Sequence, residues 1–360
     1  MTRNIKKILT SFFACCLLLT STTQAFGDCC CDPCNCECEC FCQFPNYNPC
    51  CTGVGDGASL ILEFIWWKPC FNDLDYAVKF DTASVGDNRS CGSYLYPPHQ
   101  FSPGFRVELA MDKVWCNWDL MAHYTWVQEK AHNEQTNDTG LLASTLFHGG
   151  FNGDVADPDT LNASHFYQYQ TFDILLGQDC CISHCHYFTT YFGLQGLKLD
   201  QTWKSDASEV VGQFTNNLDL RWDSTYEGLG LALGVEYDYR ISCIEFYTDA
   251  RLAFVRGNNV SKYDLTRVVG GTGPVTTNVI FKTDDPSCVP GVHLRAGINY
   301  VYEYCNKEFI FTIGYEFLNW FNMPRIRRFT DTESDIGISS SPNGSRIGFH
   351  GLNIGVGVKI

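Results

Sequence analysis

From about residue 58 onward the chain alternates with period two. In Tyr226–Arg240, Leu229, Leu231, Leu233, Val235, Tyr237 and Tyr239 fall on one side of an extended segment. Gly228, Gly230, Ala232, Gly234, Glu236 and Asp238 fall on the other. Successive side chains of a strand point to opposite faces, so one face here is oily and ends in tyrosines, while its neighbour is small or acidic. The split recurs. Trp118, Leu120, Ala122, Tyr124 and Trp126 oppose Asn117, Asp119, His123 and Thr125, and Ile244, Phe246, Ala250, Leu252 and Phe254 oppose Glu245, Asp249 and Arg251. Val292, Leu294, Ala296, Ile298 and Tyr300 oppose His293, Arg295 and Asn299. Phe309 to Phe317 and Leu352 to Val358 behave alike, with Glu316 and Lys359 on their polar faces.

Ten such runs are expected as strands: Ala58–Lys68, Phe101–Met111, Cys116–Gln128, Tyr167–Gln178, His186–Trp203, Thr225–Arg240, Ser242–Arg256, Gly291–Tyr304, Lys307–Trp320 and Arg346–Ile360. The connections 111–116, 178–186, 240–242 and 304–307 are tight. Those around 69–100, 129–166, 204–224, 257–290 and 321–345 are long and polar. Oily-out, polar-in strands with short turns at one end and long loops at the other predict an all-β fold. It is an antiparallel transmembrane β-barrel of about ten strands (10–12), with short periplasmic turns and long extracellular loops. Val275–Phe281 is a run that could add strands. Nowhere does the chain approach the ~18 apolar residues of a spanning helix, so a crossing must use a closed barrel.

The first residues sharpen the compartment. Arg3, Lys6 and Lys7 precede an apolar run from Ile8 to about Leu19 and then Thr23-Gln-Ala25, which reads as a secretory signal peptide over 1–25. A leader over 26–57 follows, and the barrel occupies 58–360. Without the three signal cations the chain holds 22 Lys+Arg against 40 Asp+Glu, which excludes nucleic acid as a partner. Aromatic content of 14% suits interfacial girdles. The tryptophans, from Trp66 and Trp67 through Trp203 and Trp222 to Trp320, are expected as interfacial anchors. Outer-membrane lipid and small hydrophilic solutes are the partners this architecture implies.

Nineteen cysteines remain after Cys15 and Cys16 leave with the signal, and export makes disulfides their default fate. Ten crowd the leader: Cys29, Cys30, Cys31, Cys34, Cys36, Cys38, Cys40, Cys42, Cys50 and Cys51. On the strand map Cys116, Cys180, Cys181, Cys185, Cys243 and Cys305 lie at the tight turns, on the same side as the leader. Cys70, Cys91 and Cys288 lie by the long loops, where Cys70 with Cys91 could clip the first loop. Thiols two apart in an extended comb pair only with strain. Three fates therefore stand open: cross-links to another copy or another cysteine-rich envelope protein, internal pairing to the barrel's turns, and metal. Cys31 and Cys34 form the sole Cys-x2-Cys pair, which does not make a zinc site. No cofactor is expected.

The inward faces collect Arg106, Glu108, Asp119, His123, Asp173, Glu236, Asp238, Glu245, Asp249, Arg251, His293, Arg295, Glu316 and Lys359. These charges either line a water-filled pathway or pair into a plug. Their mixed signs predict no strong ion selectivity. The loop histidines His99, His132, His148 and His165 and acids such as Asp154, Asp157 and Asp159 match no catalytic spacing, so no enzyme activity is expected.

Several short blocks carry a resemblance. Leu60-Ile-Leu-Glu-Phe-Ile-Trp-Trp-Lys68 with Leu74-Asp-Tyr-Ala77, Pro103-Gly-Phe-Arg106 with Trp118-Asp-Leu120 and Tyr124-Thr-Trp126, Tyr191-Phe-Gly-Leu194 with Leu199-Asp-Gln201, Gly314-Tyr-Glu-Phe317 with Trp320, and Phe349-His-Gly-Leu352 jointly resemble the major outer membrane protein family of legionellae and chlamydia-related bacteria. The resemblance spans about 58–360. It implies an abundant porin-like barrel and, from the chlamydial side, a disulfide-linked envelope. Two departures stand out: the chain ends in Ile360 rather than an aromatic, and the leader comb is denser than the family pattern. The function expected is a porin-like barrel whose disulfides add envelope rigidity, with a non-conducting structural or adhesive barrel as the alternative.

Overall fold

A computed structural model of the protein describes residues 57–72, 74–80, 92–115, 118–136, 142–145, 158–183, 185–269, 275–304, 307–323 and 344–360. Residues 1–56, where a signal peptide and a leader with ten cysteines are expected, lie outside the described residues. Thirteen strands follow one another: β1 (Ala58–Phe71), β2 (Ala77–Phe80), β3 (Gly92–Leu95), β4 (Ser102–Trp115), β5 (Trp118–Thr136), β6 (Leu142–Ser144), β7 (Thr160–Ser183), β8 (His186–Val211), β9 (Phe214–Ile241), β10 (Ile244–Val269), β11 (Val275–Tyr304), β12 (Lys307–Met323) and β13 (Ser345–Lys359). Ten of them close an antiparallel barrel in the order β1-β13-β12-β11-β10-β9-β8-β7-β5-β4. These ten correspond one to one with the ten alternating runs. β1 seals the ring by pairing with β4 on one edge and with β13 on the other (Leu60 opposite Leu109 and Val358), so no sheet edge faces lipid.

The faces follow the alternation. Leu229 and Leu231 are 60% and 64% exposed, while Ala232 and Gly234, at the alternate positions that follow, are buried. Phe64, Phe172, Phe192, Ile298, Phe311 and Ile354 extend this outward apolar band around the barrel. Both ends of the barrel chain meet at the tight-turn end, where the Ala58 amide donates to the Ile360 carbonyl at 3.0 Å. Two-residue turns there require an unusual backbone, and Ser242 adopts φ 57.

Two expectations need correction. The stretches 204–224 and 257–290 are not loops. β8 and β9 stay paired out to Val211 opposite Phe214 and turn at Gly212 (φ +65). β10 and β11 stay paired out to Val269 opposite Val275, so Val275–Phe281 lengthens β11 and adds no strand. One side of the barrel therefore rises as a tall wall beyond the apolar band, and β12, β13, β1 and β4 stop short. The second correction concerns tryptophan. Trp66 and Trp126 face outward, but Trp67, Trp203, Trp222 and Trp320 point inward and are about 1% exposed.

What covers the inner face of the wall is a small sheet in the order β3-β2-β6, built from the first two outer connections. Leu74, Tyr76, Ala77 and Leu142 pack with Leu161, Trp203, Trp222 and Leu265 of the wall in one buried cluster. Burying each such large apolar side chain from water is worth about 1.5–3 kcal/mol, which holds the sheet in the outer mouth.

Candidate functional site: the charged lumen and its closures

The lumen is built in layers. At the tight-turn end sit pairs facing the periplasm: Lys359 Nζ lies 2.5 Å from Asp112 Oδ2, Arg240 Nε 3.5 Å from Glu245 Oε2, and Asp119 accepts from the Lys113 amide at 2.7 Å. Deeper, inward positions of separate strands converge. Arg106 (β4) donates from Nη1 to Glu63 Oε2 (β1) at 2.7 Å and from Nη2 to Glu316 Oε2 (β12) at 2.7 Å. Its Nε donates to Thr125 Oγ1 at 3.1 Å. Arg295 (β11) reaches Glu108 Oε1 at 2.6 Å and Glu63 Oε1 at 2.9 Å, and Asn353 Nδ2 donates to the same Glu63 oxygen at 2.9 Å. His293 Nε2 lies 2.8 Å from Glu316 Oε2.

A second node forms on the opposite wall. Arg251 (β10) donates to Asp173 Oδ2 (β7) at 2.8 Å and lies 3.6 Å from Asp249, whose other oxygen accepts from the Tyr191 hydroxyl. His123 Nδ1 lies 3.9 Å from Asp173. Each arginine also stacks on an aromatic ring: Arg251 on Tyr191 at 5.2 Å and Arg295 on Tyr247 at 5.4 Å. Side-chain exposure is 0% for Glu63, 1% for Glu316 and 4% for Arg106, so these chords cross a filled section.

Between the nodes lies a cavity of about 170 Å³ lined by Glu63, Glu108, Glu236, Asp249, Arg251 and Arg295 among others. Glu236 and Asp238 are successive inward-facing positions of β9, and Glu236 lines this cavity.

Above the charges the lumen turns aromatic. The Arg106 guanidinium lies 5.7 Å from the Trp67 ring. Trp67 packs on Phe349 (5.7 Å between centroids), Phe349 on Tyr169 (4.8 Å), and Trp320 Nε1 donates to Tyr169 Oη at 3.1 Å. Gly291 is bare because Trp320 fills its place: a Cβ there would meet the ring at 2.4 Å. Nearer the outside, Phe71 packs against His99, His165 and Tyr167. His99 Nδ1 lies 3.0 Å from Glu129 Oε2, and its Nε2 lies 3.2 Å from His165 Nδ1. Burial, and then the neighbouring His99, hold the His165 imidazole well below the ordinary histidine range, so it is neutral.

Most of the expected lumen residues are thus brought together in the two nodes, and Asp119, Asp238, Glu245 and Lys359 line the periplasmic end. Sequence reasoning missed Glu63, which touches both Arg106 and Arg295, because both faces of Leu60–Trp67 are apolar around it. It also missed the aromatic layer. Of the thiols, Cys180 and Cys243 lie at the tight-turn end, and Cys70 and Cys288 are exposed toward the other. Cys185 falls in the β7–β8 turn. Cys91, Cys116 and Cys305 and the Cys181 side chain lie outside the described residues, as do His148, Asp154 and Asp157.

A closed barrel with an apolar outer band and a charged interior defines a β-barrel protein of the bacterial outer membrane. The family model described as the Legionella pneumophila major outer membrane protein precursor matches residues 52–360, and the chain belongs to that family. No curated protein matches the chain. Among solved structures it is similar to the outer membrane protease OmpT from Escherichia coli, with 11% identity, 84% of this chain and 96% of that chain covered, and a TM-score of 0.39. It is also similar to the P. putida toluene transporter TodX, with 7% identity, 85% and 90% covered, and a TM-score of 0.25. A Pseudomonas aeruginosa FadL homologue aligns at 7% identity over 84% and 89%, with a TM-score of 0.21.

Proposed function

We propose that the protein is a narrow outer-membrane channel for small hydrophilic solutes, shut in this conformation by its ion-paired nodes, its aromatic layer and the small outer sheet. The charge inside the barrel carries the reading. Buried ion pairs are commonly no more stabilising than apolar side chains of the same volume, so a barrel with a purely structural task gains little from them. Asp173 Oδ1, Gln195 Oε1, Asn353 Oδ1 and Arg295 Nε are buried with no partner among the described residues, and polar atoms so placed call for water. A hydrated column of paired charges is what a small polar solute can follow. The closing parts are side chains and a loop-borne sheet, which can move without breaking the barrel's ladder. Solutes cross unchanged, and the reading involves no catalysis.

The filled aromatic section favours a second reading, a non-conducting structural or adhesive barrel. Planar-bilayer recordings separate the two. The full-length protein is expected to give brief discrete steps, and a variant with residues 74–95 replaced by a short Gly-Ser linker is expected to give longer openings. Silence from both removes the channel.

We also read the cysteine-rich leader as a cross-linking segment. It joins the barrel at Ala58, at the end where Cys180, Cys185 and Cys243 cluster. Isolated envelopes run without reductant are then expected to show multimers that collapse to monomer on reduction. Monomer in both lanes would end that proposal.

A further inference from the structure

The outward face of the short side carries a feature that the lumen does not use. Lys68 stands directly opposite His350 across the β1–β13 ladder. Phe101, immediately before β4, packs edge-on against both Trp66 (5.8 Å) and His350 (5.9 Å). Tyr315 Oη lies 2.6 Å from His350 Nδ1. With the tyrosine hydroxyl donating there, the imidazole carries its proton on Nε2 and has that N–H to offer. Arg346, exposed and four residues further out on β13, lies on the same face. Trp66, Tyr315 and Leu352 just below are 39–49% exposed, as lipid-facing side chains are.

Two observations give this patch a partner. The first is height. Lys68 is two residues beyond Trp66, about 7 Å along the strand, and Arg346 is about 13 Å beyond His350. The cations therefore begin where the acyl chains end. The second is sign. Among the described residues, the outward positions of β12, β13, β1 and β4 carry no Asp or Glu. On the tall wall three outward cations are instead matched by acids: Lys198 with Glu227 at 2.5 Å, Arg221 with Asp223 at 2.7 Å, and Lys262 with Asp264 at 3.2 Å.

We propose that Lys68, His350 and Arg346, above the Trp66–Phe101–Tyr315 aromatic ledge, bind the phosphates of an outer-leaflet glycolipid of the lipid A type. The occupant must have acyl chains to lie against Trp66, Tyr315 and Leu352 and an anionic group to meet the cations above them. Long basic side chains at a membrane boundary extend toward such groups while their stems stay in the apolar layer, and charge-assisted hydrogen bonds to phosphate are the strong kind.

The test uses the full-length protein in detergent, checked for folding by heat-modifiable gel mobility, with bound lipid counted by native mass spectrometry. Diphosphoryl lipid A is expected to stay bound to the wild type, and lipid A stripped of phosphate is not. K68Q with R346Q should weaken binding roughly tenfold, since each cation near an anionic lipid surface contributes a few-fold. K68R with R346K should preserve binding, and the matched pair K198Q with K262Q should leave it unchanged. Equal retention of phosphorylated and phosphate-free lipid A by the wild type overturns the proposal, and this comparison requires no variant. So does undiminished binding by the folded K68Q/R346Q protein. Complete displacement by inorganic phosphate also overturns it, by assigning the patch to the free anion.

Discussion

Arg106→Ala is expected to destabilise the barrel by about 3–5 kcal/mol, the cost of removing one partner from a buried ion pair. Arg106 is held by Glu63 and Glu316, both essentially unexposed, and it supplies two charged donors to Glu316. Alanine leaves those carboxylates facing each other across the lumen with only Arg295, Asn353 and His293 to compensate. It also removes the cation beneath Trp67. Replacing both sides, with Arg106→Leu and Glu316→Leu together, should cost far less, because the uncompensated charge goes with its partner. Urea unfolding of the detergent-solubilised protein, followed by tryptophan fluorescence, measures both. An Arg106→Ala midpoint equal to wild type, or a double variant weaker than the single one, would contradict the chords that join β4 to β12.

Trp320→Ala should produce the second large effect, in two readouts at once. Trp320 fills the space above Gly291 and ties its indole N–H to Tyr169. Truncating a buried aromatic of this size costs about 3–5 kcal/mol, since the cavity does not fully collapse. The same truncation opens one side of the aromatic layer, so liposomes carrying the variant should pass small sugars faster than those carrying wild type. Loss of stability without any gain in permeability would favour the structural barrel. Phe311→Ala, on the lipid-facing side of the same strand, serves as the control, because it leaves both the aromatic layer and the outer sheet in place.

The ten strands were legible because lipid and lumen impose opposite tastes on alternate residues, and Leu229 and Leu231 against Ala232 and Gly234 display that contrast directly. The outer ends of the strands were misjudged for a reason that β9 makes plain. Its pairing continues without a break, but below Tyr226 in sequence number the apolar residues change phase. Leu220, Trp222 and Tyr226 are buried inside, while Arg221, Asp223 and Glu227 face out. At Leu229 the phase reverses, and the oily side faces out. β8 reverses likewise between Leu194, which is exposed, and Leu197, Leu199 and Trp203, which are buried. The reversal marks the surface of the membrane, because above it the outer face meets water and the inner face meets the small sheet. Read along the chain it looks like loss of pattern, which is why 204–224 and 257–290 were expected as loops. The four inward tryptophans were misplaced for the same cause: an indole suits a membrane interface and a packed interior equally well.

The sequence by itself determined that the chain closes an antiparallel barrel of ten strands and which face most residues of those strands take. All of that is local, since a period of two needs only a residue and its neighbours. Only the tertiary structure decided that the interior is filled, that Glu63 is central to it, and that loops return to cover the mouth. Arg106 meets Glu316 from 210 positions away, and Arg295 meets Glu63 from 232. Such meetings are set by how the ring closes and how its strands are staggered, and no stretch of chain shorter than the whole barrel contains that information.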